Sequence, residues 1–212
     1  MTPDPMTPTM NKNHPSTSGR SHRAFTLIEL LVVIAIIATL AGLLLPVVAW
    51  VKKKAKAAQA GTEVRSLATA IAAYQSLYGV FPCSVADAGG GLDKTYTNNS
   101  DIMMILLDVD GGVNAGHARN PQKSVFLNGK MVTSAALPGI GPDYNFRDPW
   151  GRPYVVTLDL NYDNHCNDSY YAPVPSNGVT AAVMVWSFGP NGAPFGPSGN
   201  AGARDNDDIR TW

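Results

Sequence analysis

The sequence carries no net charge, because 16 Lys and Arg are balanced by 16 Asp and Glu. No general attraction to a polyanion follows, so nucleic acid is not an expected partner. Cysteine is scarce: Cys83 and Cys166 lie far apart, and no Cys-x-x-Cys pair occurs. Zinc-ribbon and thioredoxin chemistry therefore lack their ligands. The four histidines, His14, His22, His117 and His165, have no metal-ligand spacing. No Gly-x-Ser-x-Gly, P-loop or dinucleotide fingerprint is present. "DLNYDN", from Asp159 to Asn164, opens like a calcium loop. It lacks the glycine at the sixth place and has Tyr170 where the twelfth-place Glu belongs. It reads as the polar end of a strand. With no cluster of catalytic groups, the chain is not read as an enzyme and no catalytic residue is assigned.

Charge is also missing from one long stretch. From Phe25 to Val51 the only ionisable side chain is Glu29. The run exceeds the roughly 20 residues a helix needs to cross a bilayer. It is too long for the apolar core of a secretory signal, and no small-x-small cleavage site follows it. Arg20 and Arg23 precede the run and favour a cytoplasmic N-terminus. Lys52, Lys53, Lys54 and Lys56 follow it and oppose that rule, so charge leaves the orientation open.

Beyond the run, apolar or small residues recur at Ala60, Val64, Leu67, Ile71, Tyr74 and Tyr78. Steps of four and three make one helical stripe. Gly79 is a natural stop, and Pro82 cannot continue the helix. One helix is thus predicted from about Thr26 to Tyr78. Pro46 removes a donor and clashes one turn back, so a kink or local melting is expected between Gly42 and Pro46.

These residues, "AFTLIELLVVIAIIATLAGLLLP", resemble the N-terminus of the type IV pilin and type II secretion pseudopilin superfamily. In that family a prepilin peptidase cuts before the Phe and methylates the new amine. The resemblance implies a leader over 1–24, a cut between Ala24 and Phe25, and a methylated Phe25. The family usually has glycine before the cut, where Ala24 stands here. Glu29 matches the family's acid, and Pro46 its helix-breaking proline. An isolated carboxylate inside a bilayer costs several kcal/mol and usually marks a function. After cleavage, the cationic amine of Phe25 can pair with Glu29 of a neighbouring subunit. Such a pair selects register as much as it adds stability. Phe25, Glu29 and Pro46 are the expected assembly residues.

From about Val80 the chain is rich in Gly, Pro, Asn and Asp, as in short strands joined by turns. Asn98-Asn99-Ser100-Asp101 is positioned to cap a helix from Ile102 to Leu107. Asn128-Gly129 between apolar flanks is a hairpin signal. Tyr154 to Leu160 and Ala181 to Phe188 read as strands. The expected class is α+β: a long helix whose second half packs on a small antiparallel sheet, followed by a loop-rich C-terminal region. The expected divisions are 1–24 (leader), 25–51 (transmembrane and filament-core helix), 52–80 (its amphipathic continuation) and 81–212 (periplasmic globular domain).

"DPWGRPY", Asp148 to Tyr154, resembles a signature of the major type II pseudopilin. As residues alone it is a turn, with Pro149 and Gly151 setting the backbone and Trp150 packing on the domain. "WSFGPNG" and "DNDDIRTW" resemble the two ends of that subunit's calcium loop. The resemblance implies a Ca2+ site with carboxylates from Asp207 and Asp208 and backbone oxygens from Phe188 and Ala193. Asn191 stands where the family has Asp, which removes a charge but keeps an oxygen, and Asp205 is a possible replacement. In an oxidising periplasm Cys83 and Cys166 have the option of pairing, which sequence alone leaves open.

The resemblance implies a structural subunit of a type II secretion pseudopilus. It would be a single-pass protein of the bacterial inner membrane, with its C-terminal domain in the periplasm or outside the cell. Its implied partners are copies of itself in a helical polymer, the prepilin peptidase, minor pseudopilins, the membrane, and an assembly platform with its ATPase. A type IV pilus subunit, serving adhesion, motility or DNA uptake, is the alternative, because the N-terminal match is common to both.

Overall fold

The computed structural model describes residues 25–168, 178–192 and 208–212. The chain divides into two units, Met1–Val47 and Val48–Trp212. One helix, α1, spans Leu27–Tyr78.

In the first unit every residue from Phe25 to Val47 is exposed. So large a continuous apolar surface is suited to hydrocarbon, and α1 is long and apolar enough to cross a membrane. Its interior hydroxyl is satisfied locally: Thr39 Oγ1 donates to the carbonyls of Ala35 (3.1 Å) and Ile36 (2.8 Å). The melting expected between Gly42 and Pro46 is not found, since the helix is continuous through Pro46. A proline forfeits one backbone bond, and the turns on either side remain helical.

In the second unit α1 turns one stripe inward. Ala60, Val64, Leu67, Ile71 and Tyr74 are buried, joined by Ala70, while Tyr78 is half-buried. The helix stops at Gly79, whose φ of 72° suits a residue without a Cβ and whose N–H closes on Gln75 O at 2.7 Å. Short elements follow: α2 (Val85–Ala88), β1 (Lys94–Tyr96), α3 (Ser100–Leu106), 3-10 turns over Gly112–His117, β2 (Gly139–Ile140), β3 (Phe146–Arg147), β4 (Val155–Leu158), β5 (Val183–Ser187) and β6 (Ile209–Arg210). Four strands form an antiparallel sheet in the order β1-β4-β5-β6, while β2 and β3 form a separate pair. The stripe of α1 and the sheet share one core with Phe81, Ile102, Leu106, Tyr154, Val156 and Val185. Among the described residues the architecture is therefore α+β, a long helix on a small antiparallel sheet, consistent with a pilin-like fold.

Both sides of the central strands are covered. Val185 faces the main core, and its neighbour Trp186 packs with Val155, Phe188 and Trp212 on the other side. The indole N–H of Trp186 donates to Asp168 Oδ2 at 2.7 Å, and Thr157 Oγ1 donates to the same oxygen at 2.9 Å. Two donors on one oxygen offset the cost of burying that carboxylate.

One local expectation fails and two are refined. Asn128-Gly129 makes no hairpin, and neither residue has the positive φ that an Asn-Gly turn of type I′ requires. The chain after Gly129 instead runs beside β2, where Ile140 N donates to Lys130 O at 2.8 Å and Val132 N to Ile140 O at 2.8 Å. A Cβ at Gly129 would fall 2.4 Å from Ile140 Cδ1, so this glycine serves close approach rather than a turn. The cap expected from Asn98-Asn99-Ser100-Asp101 is made by Asn98, whose Oδ1 accepts from Ser100 N at 3.0 Å, while Asn99 at the N-cap makes no side-chain cap bond. Its amide donates to the carbonyls of Phe146 (3.0 Å) and Tyr154 (2.8 Å) and accepts from Phe146 N (2.8 Å), fastening α3 to the β3–β4 region. The two predicted strands are found, each trimmed at its ends.

Candidate functional site

The N-terminal site is built by the first turn of α1. Thr26 N and Thr26 Oγ1 both donate to Glu29 Oε2, at 2.9 and 2.7 Å. Glu29 N donates back to Thr26 Oγ1 at 3.3 Å. This reciprocal arrangement is a capping box, which satisfies donors that a helix start leaves unpaired. The sequence signal was Thr-x-x-Glu directly before an apolar run, and the reading of Glu29 as an intermolecular partner passed over it. The acid thus has a use within a single chain as well. Phe25 is 75% exposed beside this turn. Pro46 lies within α1. Ala24 lies outside the described residues.

At the other end of the chain, Asp148 is fully buried and organises the "DPWGRPY" turn. Its Oδ1 accepts from Trp150 N and Arg152 N, both at 2.9 Å, and Gly151 N donates to Asp148 O at 2.9 Å. Its Oδ2 accepts from Ser187 Oγ at 2.5 Å. Ser187 Oγ in turn accepts from Gly189 N at 3.0 Å, and Arg152 Nη1 donates to Gly189 O at 3.0 Å. The "DPWGRPY" and "WSFGPNG" stretches are therefore tied together by side chains from both.

β6 brings the chain end back to this place. Ser187 pairs with Ile209 and Trp186 with Arg210. Val185 N donates to Thr211 Oγ1 at 3.1 Å, and Thr211 N to Val185 O at 3.1 Å. Phe188 and Asp208 each lie one residue beyond this last pair, Ser187–Ile209. Both carboxylate oxygens of Asp208 are buried. Asn191 lies in the turn after β5. Ala193, Asp205 and Asp207 lie outside the described residues. Among the described residues no group of three or more His, Cys, Asp or Glu is arranged to hold a metal ion.

The cysteines are not bonded to each other. Each is a free, buried thiol. Cys83 sits in the main core near Arg119 and Asp87. Cys166 bridges to Val179 and donates to Thr157 O at 3.8 Å. Their surroundings differ, and burial pushes both thiols up, Cys166 to about 12. "DLNYDN" is held by its own backbone: Asp159 accepts from Asp163 N (3.2 Å) and Asn164 N (2.7 Å), so that carboxylate fixes the turn after β4.

The first of these sites lies within a stretch that matches a known family. Residues 19–45 match the family described as prokaryotic N-terminal methylation motif. The chain carries a type IV pilin-like prepilin signal. Such a signal implies processing by a prepilin peptidase and assembly into filaments, and it points to a structural subunit. With the apolar helix that begins within it at Leu27, the motif fits a membrane-anchored protein. No curated protein and no solved structure matches the chain.

Proposed function

We propose that the chain is a structural subunit of a type II secretion pseudopilus. The observation that carries the reading is the methylation motif at 19–45, which takes in the exposed apolar start of α1. In this reading the subunit enters the bacterial inner membrane and is cut between Ala24 and Phe25. It then polymerises through the helix to support protein export, with 81–212 as a periplasmic domain. The driving ATPase, its membrane platform and the minor pseudopilins are separate proteins. Pairing of the Phe25 amine with a neighbour's Glu29 sets subunit register, and Pro46 lies within the filament core.

The motif itself serves a type IV pilus subunit equally well. The pseudopilus is favoured by the "DPWGRPY" and "DNDDIRTW" resemblances; the first is bonded through Asp148 to Ser187 of β5, and β5 pairs with the second through Ile209 and Arg210. Calcium belongs to the same reading. The buried carboxylate of Asp208 is the oxygen donor a hard cation takes, and Phe188 and Asp208 flank the last pair, Ser187–Ile209. Asn191, Ala193, Asp205 and Asp207 complete the proposed set. A bound Ca2+ would staple a Gly-rich loop that has little core of its own.

Overexpression followed by imaging of cells, with mass spectrometry of the purified subunit's N-terminus, tests the proposal. Expected are an N-methylated Phe25 and short filaments whose loss stops export. An intact leader removes the processing reading. Long surface fibres with export unaffected favour the pilus.

A further inference from the structure

The end of the apolar run meets the globular unit at a cleft that the filament reading does not use. Trp50, Lys53 and Lys54 lie at i, i+3 and i+4 on α1, which sets them on one helix face. Opposite them stand Trp150, Pro190 and Ile209, and the space between is 310 Å³. Trp150 is delivered by the Asp148 turn, and Ile209 by the pairing of β6 with β5. All of these residues belong to the unit Val48–Trp212.

Three features fix the kind of ligand. First, the lining contains two ammonium groups and no carboxylate. Between Val48 and Thr62 the sequence has four lysines and no acid, so the α1 wall of the cleft is cationic. Second, Trp50 is 61% exposed, and Lys54 Nζ lies 5.8 Å from its ring centroid. An indole beside lysines is the pairing found where a helix leaves hydrocarbon for water. Third, Trp50 and Val51 are the last residues of the apolar run, so chain position alone places the cleft at headgroup depth. Apolar walls with cations at that depth fit a group that is anionic at one end and apolar at the other.

We infer that this cleft binds the headgroup of an anionic phospholipid, with its phosphate on Lys53 and Lys54 and its glycerol end against Trp150, Pro190 and Ile209. The inference rests on membrane anchoring of the chain. A bound headgroup would relieve repulsion between the adjacent lysines and hold the globular unit at the bilayer surface.

The test uses the full-length chain. Flotation with phosphatidylcholine vesicles first establishes anchoring; a chain that stays at the bottom overturns both anchoring and this inference. The chain is then placed in bilayer discs of mixed phosphatidylglycerol and phosphatidylcholine, and native mass spectrometry reads the lipids retained. Phosphatidylglycerol is expected to be retained in preference by about thirtyfold, the scale of two interfacial lysines. Lys53→Gln with Lys54→Gln is expected to abolish that preference. Lys52→Gln with Lys56→Gln is expected to keep it, because neither residue lines the cleft. Trp150→Ala is expected to weaken it without changing any charge. Equal retention of the two lipids overturns the inference while leaving anchoring intact. Equal loss in both lysine pairs also overturns it, assigning the effect to diffuse charge. Displacement of the lipid by inorganic phosphate would instead assign the site to a soluble anion. A preference for an acidic face of a second copy, read as oligomers lost in the Lys53/Lys54 variant without lipid retention, overturns it as well.

Discussion

Tyr154 Oη donates to Glu63 Oε2 at 2.5 Å, across 91 residues of sequence. Tyr154 is fully buried immediately before β4, and Glu63 sits on the flank of the α1 stripe, where Gln59 Nε2 also donates to it at 2.9 Å. The bond locks helix to sheet at one rotation. Tyr154→Phe keeps the ring and loses one hydrogen bond to a charged acceptor. It is expected to cost about 1.5–3 kcal/mol, read as a lower denaturant midpoint at unchanged slope.

The same tyrosine sets an alkaline limit. Burial, then the Glu63 carboxylate, pushes its phenol far above the ordinary value. Below about pH 10 the phenol is neutral folded and unfolded alike, so its contribution is fully present. Above that, the unfolded phenol ionises while the folded one does not. Stability is then expected to fall by up to about 1.4 kcal/mol per pH unit from this group. A melting series from pH 8 upward, repeated with Tyr154→Phe, checks this: the variant should start lower and decline less steeply.

Asp148 predicts a coupled pair. Asp148→Ala leaves the N–H groups of Trp150 and Arg152 without their acceptor and frees the Ser187 hydroxyl. It is expected to cost about 3 kcal/mol or more, and Ser187→Ala about 1 kcal/mol. The double variant should cost less than the sum, because both substitutions remove the 2.5 Å bond. Strict additivity would show that the bond carries no weight.

What sequence could reveal follows from the range of the interaction. The α1 stripe was legible because a helix repeats its pattern locally, and five of six predicted stripe residues are buried. β4 and β5 were legible from short apolar runs. Asn128-Gly129 misled because a dipeptide's turn preference is weaker than the pairing offered by Ile140, a partner eleven residues on. The Asn98 cap on α3 was local and legible, whereas the role of Asn99 was not, because its amide found carbonyls some fifty residues away. The convergence of Asp148, Arg152 and Ser187 was invisible as contact, though their two stretches had been marked by resemblance. The Thr26–Glu29 box is local, and its Thr-x-x-Glu spacing is legible in the sequence beside the acid's charge.

The thiols predict chemistry. Both are buried and free, and burial holds them protonated at neutral pH. The native chain is expected to resist alkylation at pH 8, while the chain in guanidinium is expected to take two labels. Its mass should be unchanged by reductant beforehand. A native chain two hydrogens lighter than its reduced form would show that the cysteines pair.

Calcium predicts a linkage. If Asp208, Phe188 and the loop residues hold the ion, titration calorimetry on the purified chain shows one site, and chelator lowers the melting temperature. At a free calcium concentration about 100 times Kd the ion adds about 2.7 kcal/mol. Asp208→Asn should remove both effects, while Asp163→Asn, in the turn after β4, should leave them. No heat and an unmoved melting point would remove the site.

Glu29 separates two physical roles through one conservative change. As the partner in a capping box it needs only an acceptor for Thr26 N and Oγ1. As the partner of a neighbour's Phe25 amine it needs a charge. Glu29→Gln keeps the acceptor and loses the charge; Glu29→Ala loses both. Processing reads the leader and the cut, so both variants are expected to be cleaved and methylated normally. Assembly distinguishes them. If pairing sets register, Gln fails to enter filaments much as Ala does, because a neutral amide leaves the neighbour's cation desolvated and unpaired. If helix capping is the whole role, Gln assembles like the parent chain and only Ala fails, at a cost near the 1 kcal/mol typical of a lost cap. Filament counts and N-terminal mass spectra from the same cells decide between the two. Normal assembly of both would leave the acid without either role.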